Sequence, residues 1–166
     1  MNHYIIDGNN LIGKIYHLQS LQKEDRQASR EELVNIINRY FASKKTKLSL
    51  HLDGYAKLPL HPSKGKIVYS NNKTSDQMIR EEIDSSPNPK LIILVSSDHA
   101  LINYAKVNSC SIIKAEEFYR EIEKNNSRDE EADKLSLLEK QKDEFLILFN
   151  RKWNPRLNKQ FKKTYS

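Results

Sequence analysis

Four aspartates in this sequence stand where predicted strands end or where the next helix begins, and their type and placement suit metal chemistry. Asp7, Asp53 and Asp98 each follow a predicted strand, and Asp76 lies in the first turn of a predicted helix. The carboxyl ends of the strands in an open parallel sheet border one crevice, so we expect the four side chains to converge there. Carboxylates in one crevice repel each other unless a cation neutralises them, and hard oxygen ligands favour Mg²⁺ or Mn²⁺. The pattern predicts a divalent metal site that activates water and steadies the leaving oxygen of a phosphodiester.

Each aspartate also has a purely structural interpretation. Asp98 could be a helix N-cap, Asp76 could favour the helix dipole, and Asp53 before Gly54 could form only a turn. Asp7 is harder to explain in this way, because it directly follows an apolar strand and loops at strand ends are where functional groups concentrate. A shared metal site explains aspartates at all four positions better than four independent structural roles do.

Strands and helices alternate along the chain, which predicts the scaffold that positions these aspartates. The predicted strands are residues 4–6, 48–52, 66–70, 91–95 and 111–113. Predicted helices cover about residues 11–21, begin again at Ser29, Thr74 and after Asp98, and finish with two helices at about 116–124 and 129–149. This alternation is typical of an α/β domain with a parallel sheet and helices on both faces. The continuous apolar run 91–95 is typical of a central strand.

Two capping boxes are predicted at helix starts. Ser29 with Glu32 and Thr74 with Gln77 have the spacing at which a hydroxyl and a side-chain carbonyl satisfy each other's end of a helix. The second box places Asp76 inside the first turn, close to the end of the preceding strand.

The length and cysteine content limit the class of protein. At 166 residues, the chain fits one domain with a core of its own. Cys110 is the single cysteine, so neither a disulfide framework nor a cysteine zinc site is possible, and we expect a reducing, cytoplasmic location. No secretory signal pattern and no run of roughly 18 apolar residues is present, so neither secretion nor a membrane span is expected.

The net charge of +6 lies in the last sixteen residues, because all 22 acidic residues come before residue 151. This basic tail, residues 151–166, places aromatic rings among cations, a combination that suits phosphates and bases. Its first residues, Arg151, Lys152 and Trp153, are candidate nucleic-acid contacts. The alternative is a solvated basic terminus that aids solubility. Around the third strand, Lys64, Lys66 and Lys73 are further candidates for guiding an RNA backbone, although each alone could be an ordinary surface lysine.

Several other chemistries fit the sequence poorly. It contains no glycine-rich phosphate loop, so no nucleotide cofactor is expected. Asn9 stands where an aspartyl phosphatase carries its second aspartate, and no nucleophile elbow is present. The histidines lack the spacing of metal ligands; His99, beside Asp98, is the exception to test.

Three segments of the chain resemble, in order and spacing, the NYN domain of YacP-like proteins among the PIN-like nucleases. They are YIIDGNNLI from Tyr4, TSDQMI from Thr74 and VSSD from Val95, within a resemblance that runs from about residue 3 to 123. The resemblance implies a PIN-like, three-layer domain with the strand order 3-2-1-4-5. It also implies endoribonuclease activity and a Mg²⁺ or Mn²⁺ site. Asp7, Asp76 and Asp98 match the family's acidic positions and would bind the metal, while Asn10 matches the asparagine of its opening motif.

The resemblance also sets the expected organisation and partners. Residues 1–125 would form the catalytic domain, 126–150 a C-terminal helix packed on it or extending from it, and 151–166 the basic tail. RNA is the expected partner, with messenger RNA on the ribosome as one form of it. Asp53 follows the second strand, where related nucleases can carry another acid. Gln77 stands where the family often has a glutamate, so a catalytically weakened RNA- or ribosome-binding module with the same fold is the alternative.

Overall fold

A five-stranded, all-parallel sheet in the order β3-β2-β1-β4-β5 organises the chain, as the resemblance implied. The computed structural model describes residues 1–153, with side chains described through residue 149. Its strands are β1 His3–Asp7, β2 Lys47–Leu52, β3 Lys66–Tyr69, β4 Ile92–Val95 and β5 Ser111–Ile113. Its helices are α1 Gly8–Lys14, α2 Tyr16–Glu24, α3 Arg26–Phe41, α4 Ser75–Asp84, α5 His99–Val107 and α6 Ala115–Trp153, with a 3₁₀ turn at Pro89–Leu91. Strand and helix therefore alternate as the sequence predicted.

The strand register brings the carboxyl ends of the central strands to one edge. Ile6 of β1 lies beside both Leu50 of β2 and Val95 of β4. Asp7, which ends β1, and Asp53 and Ser96, which follow β2 and β4, therefore lie at the same edge of the sheet. This is the edge at which open parallel sheets bind ligands.

Each face of the sheet is covered by helices that bury its apolar side chains. On one face, α3 and the first turns of α6 contribute Phe41 and Phe118 to a fully buried cluster. The Tyr40 ring meets both at edge-on geometry, with centroids 4.9 and 5.1 Å away. On the other face, Ile79 of α4 and Leu101 of α5 pack on the central strands. The prediction of helices on both faces is confirmed.

A cluster of polar residues lies between α4 and the sheet. Glu82 of α4 accepts hydrogen bonds from the Ser49 hydroxyl at 2.7 Å and from the His51 ring at 2.6 Å, and pairs with Lys66 at 2.9 Å. Ser49 and His51 alternate along β2 with Leu48, Leu50 and Leu52, which explains why the two polar residues share one face. These bonds offset the cost of burying the Glu82 charge.

Three local predictions were wrong. Helix α3 begins at Arg26 rather than Ser29, because Asp25 caps it by accepting from the backbone N–H groups of Gln27 and Ala28. Ser29 is instead buried and donates to the Leu18 carbonyl at 2.9 Å. The helix predicted at 11–21 is two helices, separated by the extended residue Ile15.

The third wrong prediction is the break before residue 129. A single helix, α6, replaces the two helices that the sequence indicated. The chain divides into Met1–Lys124, which contains the sheet, and the residues from Asn125 onward. None of the helices among residues 1–153 is long and apolar enough to cross a membrane.

Candidate active site

Asp7 ends β1 and is held by hydrogen bonds at both carboxylate oxygens. Oδ1 accepts from the backbone N–H of Asn10 at 3.1 Å, which caps α1, and Oδ2 accepts from the Ser96 hydroxyl at 3.0 Å. Only 3% of Asp7 is exposed. Burial raises the pKa of Asp7 to about 6 against the effect of these two hydrogen bonds, and the nearby charges of Asp76 and Asp53 raise it further. The site therefore carries negative charge that its own residues do not neutralise.

Gly8 explains why a glycine follows this aspartate. A Cβ on Gly8 would lie 2.7 Å from the His51 carbonyl oxygen and 2.7 Å from a methyl carbon of Leu52. Helix α1 can therefore begin directly against β2 only because position 8 has no side chain. The glycine fixes the direction in which the chain leaves Asp7.

Asp98 follows β4 and is joined to Asp7 through the Ser96 hydroxyl. Ser96 is fully buried, and its oxygen also accepts from the Asp98 backbone N–H at 3.1 Å. The Asp98 carboxylate caps α5 by accepting from the Leu101 N–H at 2.8 Å. The structural interpretation of Asp98 as an N-cap is thus confirmed, and the same residue lies at the carboxyl edge beside Asp7.

Asn10 connects the loops after the two central strands. Its side-chain oxygen accepts from the backbone N–H of Ser97 at 2.9 Å. Its own backbone N–H donates to Asp7. Asn10 therefore holds the segment that bears Asp7 close to the segment that bears Asp98. Its side-chain oxygen is used in this positioning role.

Asp53 and Asp76 both lie at the N-terminus of α4. The Asp53 carboxylate accepts from the Ser75 N–H at 2.8 Å, and its backbone carbonyl accepts from buried Arg30 at 2.5 Å. Asp76 follows in the first turn of α4. Burial raises the pKa of Asp76, and the charges of Asp98 and Asp53 raise it further while Arg80 lowers it. Asp76 therefore interacts electrostatically with each of the other three aspartates.

The capping box predicted at Thr74 is confirmed. The Thr74 hydroxyl accepts from the Gln77 backbone N–H, and the Gln77 side-chain oxygen accepts from the Thr74 N–H at 3.1 Å. Gln77 is exposed, and its side-chain oxygen is already hydrogen-bonded at the N-terminus of α4. A capping box accepts either glutamine or glutamate at this position, so it gives Gln77 a structural role without explaining why the residue is not glutamate.

Thr74→Ala should lower the free energy of unfolding by about 1 kcal/mol, because it removes an N-cap hydroxyl. Urea denaturation followed by circular dichroism would measure the loss. Thr74→Ser is the matched control and should stay close to the original chain, since its hydroxyl can accept the same bond. Equal stability of the alanine variant and the original chain would contradict this role of Thr74.

The side chains that converge at the carboxyl edge of the sheet offer the kinds of ligand atom that a divalent ion needs. Among residues 1–149, no group of three or more His, Cys, Asp and Glu side chains is arranged to hold a metal ion. The convergent side chains nevertheless offer only carboxylate and amide oxygens, the ligands of Mg²⁺ and Mn²⁺. Burial and the charges of neighbouring aspartates raise the pKa of Asp7 and of Asp76, so a cation bound among these carboxylates would stabilise their ionised forms. The chemistry of the side chains fits a hard divalent ion.

The candidate RNA-binding lysines have different surroundings. The Lys64 ammonium donates to the carbonyls of Phe41, Ala42 and Lys44, at the end of α3, and Lys66 pairs with Glu82 at the start of β3. Lys73 follows β3 on the aspartate edge and pairs with Glu81 at 2.6 Å. The side chains of Arg151, Lys152 and Trp153 lie outside the described residues. An RNA contact by any of these six residues stays a prediction.

Sequence reasoning missed residues that support the site. Ser96 and Ser97 belonged to a recognised motif but had no assigned role. Arg30 and Glu116 were not predicted to support the site either. Ser97 donates its hydroxyl hydrogen to Glu116, which pairs with Lys14 at 2.9 Å. A buried arginine in an amphipathic helix is the signal that could have marked Arg30, because buried arginines require partners.

The family model of the YacP-like NYN domain matches residues 4–165. The chain belongs to the YacP-like NYN domain family. This family lies within the PIN-like nucleases, so the chain has a nuclease-type fold. Among curated proteins, none matches the chain.

Two solved structures share the NYN fold of this chain. One is Rae1 (YacP) from Bacillus subtilis, with 19% sequence identity and a TM-score of 0.68, covering 98% of this chain and 94% of that one. The other is a tryptophan-to-leucine mutant of the same Bacillus subtilis protein, with 20% identity and a TM-score of 0.68, covering 79% of this chain and 80% of that one. At this level of identity, the likeness supports the fold.

Proposed function

We propose that this chain is a Mg²⁺- or Mn²⁺-dependent endoribonuclease that hydrolyses RNA phosphodiesters at the carboxyl edge of its sheet. The observation that supports it is the junction at Ser96, where one buried hydroxyl joins Asp7 to the backbone of Asp98. Membership of a nuclease family makes RNA the expected substrate. Messenger RNA on the ribosome is the form of substrate we propose to test after free RNA.

Asp7, Asp76 and Asp98 are the residues that would hold the ion, with Asp53 as a further acid at the same edge. A bound divalent ion supplies an activated water and neutralises charge on the phosphodiester. The residues of the chain keep the carboxylates close together despite their repulsion. Ser96 and Asn10 fix Asp7 and Asp98, and the Thr74 capping box fixes Asp76. An ionised Asp7 is the form that binds metal, and the cation lowers its pKa.

RNA would approach along the aspartate edge, where Lys73 extends into solvent. Its side chain is 52% exposed, and its partner Glu81 is exposed as well, so a phosphate can compete for the ammonium. We propose Arg151, Lys152 and Trp153 as a second contact, and Lys64 and Lys66 as positive charge at the far end of β3. The single cysteine, Cys110, is free and buried, and we propose a reducing, cytoplasmic setting.

A catalytically weakened RNA- or ribosome-binding module is the second candidate function. It is favoured by the lack of a formed three-ligand metal group among residues 1–149. Gln77 also favours it, because this residue offers only a neutral carbonyl where the family often has a carboxylate, and the capping box would form with either residue.

Asp98→Asn should lose RNA cleavage by at least about 100-fold, the size of effect seen when one transition-state contact is removed. Structured and single-stranded RNA would be incubated with Mn²⁺ and the products separated on denaturing gels. Asparagine is as good an N-cap as aspartate, so α5 should still fold. Asp129→Asn, on the exposed part of α6, is the control and should cleave like the original chain. RNA binding without metal-dependent cleavage by any of the three proteins would support the binding module instead.

A further inference from the structure

A cavity of about 370 Å³ lies beyond the ends of β4 and β5. Its lining includes Ser97 and His99, the residues on either side of Asp98, so the cavity lies close to that aspartate. The volume falls at the small end of the range of ligand pockets, about 300–1,000 Å³. A group bound here would lie directly beside the proposed reaction centre.

The lining of the cavity is rich in cations. Lys14, Lys114 and Arg120 line it together with Glu116 and Glu117. Glu116 is committed to internal partners, because it accepts a hydrogen bond from the Ser97 hydroxyl and pairs with Lys14. These two hydrogen bonds lower the pKa of Glu116 to about 2, so it stays ionised. Glu116 thereby offsets Lys14, and exposed Lys114 and Arg120 outnumber exposed Glu117, so the lining keeps a net positive charge that can meet a phosphate.

The same cavity offers surfaces for a base. His99 is exposed at its rim, and Ile102 lies one turn further along α5. Unpaired bases stack on imidazole rings and on arginine guanidinium planes in RNA-binding proteins. A cavity with cations, a ring and an apolar side chain fits a nucleotide better than it fits a simple anion.

The cavity wall is rigidly connected to the aspartate site. The Ser97 backbone N–H donates to Asn10, its hydroxyl donates to Glu116, and that same oxygen accepts from the Ala115 N–H at 3.0 Å. A nucleotide held by this wall would therefore have a defined position relative to Asp7 and Asp98.

We infer that this cavity binds the RNA nucleotide adjoining the scissile phosphate, with its phosphate on Lys114 and Arg120 and its base against His99. The inference rests on the proposed function, because it assigns the cavity to the same substrate. The cavity then positions the RNA strand, and the aspartates provide the reaction.

The first test measures binding of a fluorescent single-stranded RNA by anisotropy in EDTA, so that no cleavage is needed. Lys114→Ala with Arg120→Ala should raise Kd by about tenfold or more. It should also reduce the slope of log K against log salt by about 0.7 for each lost phosphate contact. Lys45→Ala with Lys106→Ala removes two exposed cations elsewhere and is the charge-matched control. Equal binding by the two double variants would overturn the inference.

The second test addresses the base. His99→Ala should weaken binding of an ordinary RNA oligonucleotide by about tenfold, the order expected for loss of one stacking contact. It should leave binding of an oligonucleotide that is abasic at every position unchanged. Equal weakening for both RNAs would contradict the assignment of His99 to a base.

Cleavage kinetics in Mn²⁺ separate the inference from the proposed function. The Lys114 and Arg120 double variant should raise KM with kcat nearly unchanged, because it loses binding and keeps the aspartates. Weakened binding in this variant, together with no cleavage by the original chain, would refute the nuclease while keeping the cavity as an RNA site. Cleavage that proceeds with the same KM in both double variants would refute the cavity and keep the nuclease.

Discussion

Asp7→Asn is expected to abolish metal-dependent RNA cleavage and, at the same time, to make the folded protein more stable. We expect at least a 1,000-fold loss of kcat/KM, equivalent to about 4 kcal/mol of transition-state stabilisation. Asparagine can still cap α1, but it cannot supply a carboxylate to the ion. A gel assay with labelled RNA and Mn²⁺ would measure the loss.

The gain in stability follows from the raised pKa of Asp7. Its pKa is about 6 in the folded protein and 3.8 when unperturbed, so the ionised side chain opposes folding at neutral pH. Asp7→Asn should therefore raise the free energy of unfolding by about 1–2 kcal/mol at pH 7.5, less than the roughly 3 kcal/mol that the full shift would give. The difference should shrink as the pH falls from 6 towards 3.8 and be lost only below about pH 3, where the original carboxyl is protonated in both the folded and the unfolded state.

Urea denaturation in EDTA at pH 7.5 and at about pH 3 would measure both the gain in stability and its loss in acid. Asp25→Asn is the matched control, because Asp25 also caps a helix but lies on the surface. It should change neither cleavage nor the pH dependence of stability. A less stable Asp7→Asn protein at pH 7.5, or one that cleaves normally, would contradict the central place given to Asp7.

Glu82→Gln should cost about 3 kcal/mol of stability at pH 7, the size of loss expected when one partner of a buried ion pair is removed. Burial acts to raise the pKa of Glu82, but hydrogen bonds from His51, Ser49 and Lys66 outweigh it and lower the pKa to about 2. A carboxyl with a lowered pKa contributes stability above its unfolded pKa of about 4.5 and loses it as the pH falls towards 2. The gap between the two proteins should therefore close in acid.

Thermal or urea unfolding between pH 7 and pH 2.5 would follow this gap. Glu81→Gln is the neighbouring control, since Glu81 forms an exposed pair with Lys73 that should contribute at most about 1 kcal/mol. A constant gap at every pH would show that the charge of Glu82 is not what stabilises the cluster.

The sequence predicted those features of the fold that depend on local periodicity and caps. The apolar run ending at Val95 predicted a central strand, and the strand order implied by the resemblance was confirmed. The spacing of Thr74 and Gln77 predicted the start of α4, which places Asp76. These features were predictable because each depends on residues within a few positions of one another.

Contacts between distant residues could not be predicted in this way. The bond from Ser96 to Asp7 spans 89 positions, and the one from Ser49 to Glu82 spans 33. No local pattern marks such partners, because they depend on the register of strands that are far apart in the chain. The missed continuity of α6 has another cause. Asn125, Asn126 and Ser127 lie at the predicted break, but such residues disfavour a helix interior by only about 0.5–0.7 kcal/mol each.

The Ser96 hydroxyl has one hydrogen, and that hydrogen is directed at Asp7 while the oxygen receives the N–H of Asp98. The two hydrogen bonds run in one direction: the backbone N–H before α5 donates to Ser96, and Ser96 donates to the carboxylate at the end of β1. It suits a side chain at position 7 that accepts and does not donate, which is the ionised form. The hydrogen bond from Ser96 therefore favours the ionised form of Asp7, the form that binds a cation, whereas burial favours the neutral form.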